Sequence, residues 1–84
     1  MTRNELASKL IALIQKEYRV VVTDPSADMM ESLGLDSLDV TEMLFNVEEV
    51  FGVDISTDEI SKCRSLDHVT DLLHGKVSRL AAAQ

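Results

Sequence analysis

Among its 84 residues the sequence holds one cysteine, one proline, three glycines and no tryptophan. A single thiol cannot close an internal disulfide or build a cysteine metal cluster. So little proline and glycine, with aromatics at 4%, argues against a turn-rich β-sandwich or barrel and for helices. No apolar run approaches the ~20 residues that cross a bilayer. The opening Met1-Thr2-Arg3-Asn4-Glu5 leads into an amphipathic stretch and not into a cleavable leader. With a free Cys63 the expected setting is reducing and cytoplasmic. The length suits one domain, and a chain of this size hides only about 60% of its unfolded surface, so its core is small.

The middle of the chain lacks basic residues altogether. From Val20 to Ser61 there are eleven Asp and Glu and no Lys or Arg, whereas the flanks carry four acids and eight bases. The central segment therefore accounts for the whole net charge of -7. Such a surface repels nucleic acid and anionic membrane. It suits basic protein partners, whose encounter and orientation it steers, or else it is a solvated face that keeps the chain soluble.

Thr2 with Glu5 three residues on is a capping box, and Leu6, Leu10, Leu13, Ile14 and Tyr18 share one face, so a helix is predicted over about Arg3 to Tyr18. The β-branched run Val20-Val21-Val22 and then Asp24-Pro25 end it. Thr23 to Gly34 reads as a long loop folded over the core through Met29, Met30 and Leu33. A second helix starts at Asp36 or Ser37 and ends at Phe51, with Gly52 as its left-handed cap and Val40, Met43, Leu44, Val47, Val50 and Phe51 as its buried stripe. Leu38 and Phe45 fall on another stripe, beside Thr41, Glu42, Glu48 and Glu49. That is the pattern of apolar anchors with a charged rim, although single exposed apolar residues are also ordinary. The capping box Ser56-x-x-Glu59 opens a short third helix. A fourth follows Ser65 through Leu66, Val69, Leu72 and Leu73. Gly75 is its expected stop, although Val77 and Leu80 continue the helical spacing toward Ala81, Ala82 and Ala83, which makes residues 76–84 a helical or frayed extension. The expected fold is all-α, a small four-helix bundle of three main helices and one short one with a long first loop.

Chemistry concentrates in Leu33-Gly34-Leu35-Asp36-Ser37-Leu38-Asp39. A serine in the first turn of a helix meets unpaired backbone N–H groups and the positive dipole end, which stabilise an attached phosphate. Asp-Ser at a helix start is also an ordinary N-cap. Nothing near Ser37 in the sequence supplies a base that would make it a nucleophile. His68 and His74 read as surface or core-edge residues. Cys63, between Lys62 and Arg64, has a lowered thiol pKa if exposed and is otherwise a small apolar contact. Asp24, Asp28 and Glu31 cluster without the calcium-loop pattern, since Met29 stands at the turn glycine and Leu35 at the bidentate acid. No dedicated metal site is expected.

Gly34-Leu35-Asp36-Ser37-Leu38, about 35 residues into a short acidic helical chain whose next helix ends Glu48-Glu49-Val50-Phe51-Gly52, resembles the acyl carrier protein family. The resemblance covers about residues 4 to 75 and implies a carrier domain over residues 1–75. It implies that Ser37 receives a 4'-phosphopantetheine arm from coenzyme A, attached by a phosphopantetheinyl transferase. The arm would hold acyl groups as thioesters and present them to acyl-transferring or condensing enzymes of fatty acid, lipid or polyketide synthesis. It implies docking through Asp36, Leu38, Asp39, Thr41, Glu42, Phe45, Glu48 and Glu49, and an acyl pocket at Leu44, Val47, Phe51, Ile60 and Leu66. A non-catalytic monomer is expected, with no nucleic acid bound and no membrane insertion. Ser32, Phe45, Asn46 and the basic tail depart from the commonest pattern. A specialised carrier, aminoacyl, peptidyl or lipid-modifying, stays open, as does an unmodified acidic adaptor in which Ser37 only caps a helix.

Overall fold

In a computed structural model, which describes residues 2–82, the chain forms five helices and no strand among those residues. Helix α1 (Arg3–Tyr18) starts at the expected reciprocal cap: the Thr2 hydroxyl accepts the Glu5 N–H at 3.2 Å and the Glu5 carboxylate accepts the Thr2 N–H at 3.3 Å. Leu6, Leu10 and Ile14 are its buried face. It ends at Arg19, whose φ of 53° is left-handed, a conformation that costs a non-glycine side chain about 1–2 kcal/mol. The valines then run extended. Val20 and Val22 pack on the core, Val21 faces water, and the Val22 N–H donates to the Gln15 side chain at 3.0 Å.

The long connection is fastened to the far end of the chain. The Pro25 carbonyl accepts the Asp67 N–H at 3.0 Å, and the Met29 N–H donates to the Arg64 carbonyl at 2.8 Å. It also contains a helix that the sequence reading treats as loop, α2 (Met29–Leu33). The Asp28 carboxylate accepts the Met30 and Glu31 N–H groups, and Gly34 closes the turn at φ 70°. Five residues are too few to display a helical period, which is why no periodicity marks it. Met29 is buried as expected, whereas Met30 is exposed.

Helix α3 (Ser37–Phe51) buries Val40, Met43, Leu44 and Val47 and stops at Gly52, whose φ is 66° and whose N–H returns to the Glu48 carbonyl at 2.9 Å. Val50, expected in the same stripe, is 61% exposed. It lies at the stripe's edge in the last turn, where Phe51 takes the packed place. Helix α4 (Thr57–Lys62) opens on the Ser56–Glu59 box and buries none of its own residues. Helix α5 (Leu66–Ala82) runs straight through Gly75, its expected stop. Glycine lowers helix propensity without forbidding a helix, and Val77 beyond it packs on the core. Residues 83 and 84 of the expected extension lie outside the described residues.

The three long helices enclose the core, and α1 lies along α5. Two surface ion pairs join those helices, Arg3 to Asp71 at 2.6 Å and Arg3 to Asp67 at 3.8 Å. Being exposed, such pairs contribute little. The expected all-α bundle is therefore present, with α2 added inside its first loop. Among the described residues no helix is long and apolar enough to cross a membrane.

Candidate functional site

The start of α3 is built by two aspartates. The Asp36 carboxylate accepts the Asp39 N–H at 2.8 Å, and the Asp39 carboxylate accepts the Asp36 N–H at 3.2 Å. Asp36 is thus the N-cap, and Ser37, one residue inside, is not needed for that role. Both carboxylates are occupied by main-chain donors. Ser37 is exposed, and its carbonyl accepts the Thr41 hydroxyl at 2.9 Å. A group joined to the Ser37 oxygen would sit at the positive end of a four-turn helix, where a phosphodiester charge is favoured. The residues present therefore fit an attached phosphate.

Ser37 stands on the rim of a cleft of about 490 Å³ between α2, α3 and α4. Met29, Val40, Ile60 and Cys63 make it apolar, while Asp28, Thr57, Ser61 and Arg64 give it a polar edge. Of the five residues expected to line a pocket, only Ile60 borders this cleft. Leu44, Val47 and Leu66 are closed into the core, and Phe51 packs half-buried against it. The cleft's other walls come from three separate segments, which no single sequence window displays.

Cys63 caps α4 and is 6% exposed. Burial first, and the Glu59 carboxylate second, push its thiol up from its ordinary value. It is an apolar contact and not an activated thiol. His68 is exposed and His74 half-buried on α5, both on a different helix from Ser37.

Along α3 the expected docking residues share the surface that continues from Ser37. Leu38 is 64% and Phe45 54% exposed, with Glu42 and Glu49 exposed and Thr41 and Glu48 half-buried. The Asp39 carbonyl accepts the Tyr18 hydroxyl at 3.3 Å, which ties α1 to the first turn of α3. Burial raises the Tyr18 pKa, and the Glu42 and Asp39 charges raise it further, a measure of how negative this region is. Met30 and Val50, expected inside, add exposed apolar surface instead. Among the described residues no group of His, Cys, Asp or Glu is placed to hold a metal ion.

A cap that spares its neighbouring serine thus lies beside a cleft and under an acidic face studded with apolar side chains. Residues 8–73 match the family described as the phosphopantetheine attachment site. The acyl carrier protein of Syntrophus aciditrophicus is 37% identical over 70 residues, which span 81% of this chain and 88% of that one. That of Thermosynechococcus vestitus is 34% identical over 82 residues, 93% of this chain and 99% of that one. Among solved structures, the acyl carrier protein of Thermotoga maritima superposes with a TM-score of 0.80 at 26% identity, covering 93% of each chain. The chain belongs to the acyl carrier protein family. Its prosthetic group is covalently bound 4'-phosphopantetheine, and its role is to carry and not to catalyse.

Proposed function

We propose that Ser37 is the attachment residue, modified by a phosphopantetheinyl transferase, and that the chain presents acyl thioesters to enzymes with basic docking surfaces. The observation that carries this reading is the Asp36–Asp39 reciprocal cap, which satisfies the helix start and leaves an exposed serine without a structural task. The arm, when attached, supplies a terminal thiol for the thioester. The residues of the chain bind, orient and shelter. The α3 N-terminus holds the phosphodiester charge. Leu38 and Phe45 anchor the partner, and Glu42, Glu48 and Glu49 steer it with a salt-sensitive field. Tethering raises the local concentration of the cargo at each partner's site. The cleft beside Ser37 receives the proximal part of arm or cargo. The free chain acts as a monomer.

An intact mass before and after incubation with coenzyme A, Mg and a broad-specificity transferase tests the assignment. One added phosphopantetheinyl group that Ser37→Ala lacks is the expected result. An unchanged mass in folded protein, with the transferase active on a control carrier, would return the chain to the role of an unmodified adaptor. Reversing Glu42 or Glu48 to Lys is expected to slow modification while leaving the fold intact.

A further inference from the structure

Resting on the carrier reading, we propose that Lys76 is a positioning residue that limits how far the cleft beside Ser37 opens, by holding α4 through its ion pair with Glu59. The cleft wall formed by Thr57, Ile60 and Ser61 belongs to a helix that buries none of its own residues. Ile60 is its one apolar side chain packed on the core. A wall with so little apolar anchorage opens at low cost unless something else retains it. The Lys76 ammonium lies 3.0 Å from Glu59, with side-chain exposures of 17% and 32%. The Arg3 pairs, by contrast, are 41–64% exposed. Less water and salt reach the Lys76–Glu59 pair, so it is the less screened of the two links.

Glu59 serves two ends at once. Its carboxylate accepts the Ser56 N–H at 2.9 Å, closing the cap of α4, and also meets Lys76. Those two donors, the Ser56 N–H first, hold its pKa at about 2. Lys76 lies just past Gly75, in the part of α5 that exists only because the helix does not stop there. The far third of α5 is thereby connected to the wall of a cleft whose rim carries Ser37. A held wall favours short cargo in the cleft, and a released one admits longer chains.

The test separates the pair from the cap. Lys76→Met keeps the length of the stem and removes the charge. Glu59→Gln keeps an acceptor for Ser56, since Gln also completes a capping box. In the unmodified chain, amide exchange at Ile60 and Cys63 is expected to quicken about three- to tenfold in either variant. Exchange at Val69 in α5 should stay unchanged, the double variant should add nothing further, and Lys76→Arg should restore the parent rate. Holo protein is then loaded with butyryl, octanoyl or dodecanoyl groups and melted. In Lys76→Met the acyl length giving the largest rise in Tm is expected to shift toward the longer chains. Unchanged exchange at Ile60, equal quickening at Ile60 and Val69, or an unmoved length profile would each overturn the proposal. A chain that gains no arm mass fails the carrier reading itself and takes the cargo half with it, and the exchange result in the unmodified chain tells the two failures apart.

Discussion

Helix α3 buries Val40, Met43, Leu44 and Val47, whereas α4, across the cleft from its first turn, buries nothing along its length. The first is held by its middle, through apolar contact with the core. The second is held by the half-buried Ile60, a capping box at one end, Cys63 at the other and one ion pair. Apolar packing is dense and costly to disturb, while caps and ion pairs are worth little singly. A carrier needs both qualities. On the proposed reading, the α3 face presents Leu38, Phe45 and the carboxylates in one fixed geometry, and the cleft adjusts to a changing occupant.

The contrast breaks most visibly at the core. Leu44 is fully buried, so Leu44→Ala is expected to cost about 2–5 kcal/mol in urea unfolding. A loss below about 1 kcal/mol would mean that α3 is not the firm side. Acid should act on the other helix. The folded Glu59 carboxyl has a pKa of about 2, below its ordinary 4.5, so the folded state binds fewer protons than the unfolded one between those values. Its contribution is complete above about pH 4.5 and disappears as the pH falls toward 2. The protection of the Ile60 amide relative to its intrinsic exchange rate, followed through that window, should fall before that of Leu44. A simultaneous fall would merge the two regions into one cooperative unit.

Two smaller effects sharpen the picture. Gly75 is helical, and a Cβ there would meet only the Arg79 side chain at 3.8 Å. Gly75→Ala should raise stability by about 0.5–1 kcal/mol, read from the urea midpoint, by favouring the helix that bears Lys76. Ser37→Ala should change stability by less than about 0.5 kcal/mol, because Asp36 and not Ser37 is the cap. A loss near 1 kcal/mol, the ordinary worth of an N-cap, would show that the serine has a structural task after all.

Much of this was legible in residues that act on near neighbours. Thr2 with Glu5, Ser56 with Glu59, and Gly52 after Phe51 each mark a helix end through contacts within a turn, and each end lies where its spacing predicts. The exposed stripe of Leu38 and Phe45 follows from helical geometry alone. What failed to show depends on distant or brief structure. Asp28 and Gly34 bracket α2 with ordinary capping chemistry, but the helix between them is too short for a period. Arg19 adopts a left-handed cap with no glycine to announce it. Gly75 as a stop and Val77 as a continuation are both open in the sequence, and packing of Val77 on the core decides between them. The cleft is assembled from α2, α3, α4 and the chain after it, so Asp28, Met29, Ser61 and Arg64 meet only in three dimensions.

The seclusion of Cys63 has a practical side. It is the chain's one cysteine, 6% exposed where it borders the cleft, with its thiol pKa raised. Alkylation and disulfide exchange proceed through the thiolate, so the folded polypeptide reacts more slowly with maleimides and iodoacetamide than an exposed thiol does. The terminal thiol of an unloaded prosthetic arm is the faster-reacting sulfhydryl. Reagent consumed in the first minutes therefore counts unloaded arms, since a thioester carries no thiol, and air oxidation joins arm to arm before it reaches the protein itself.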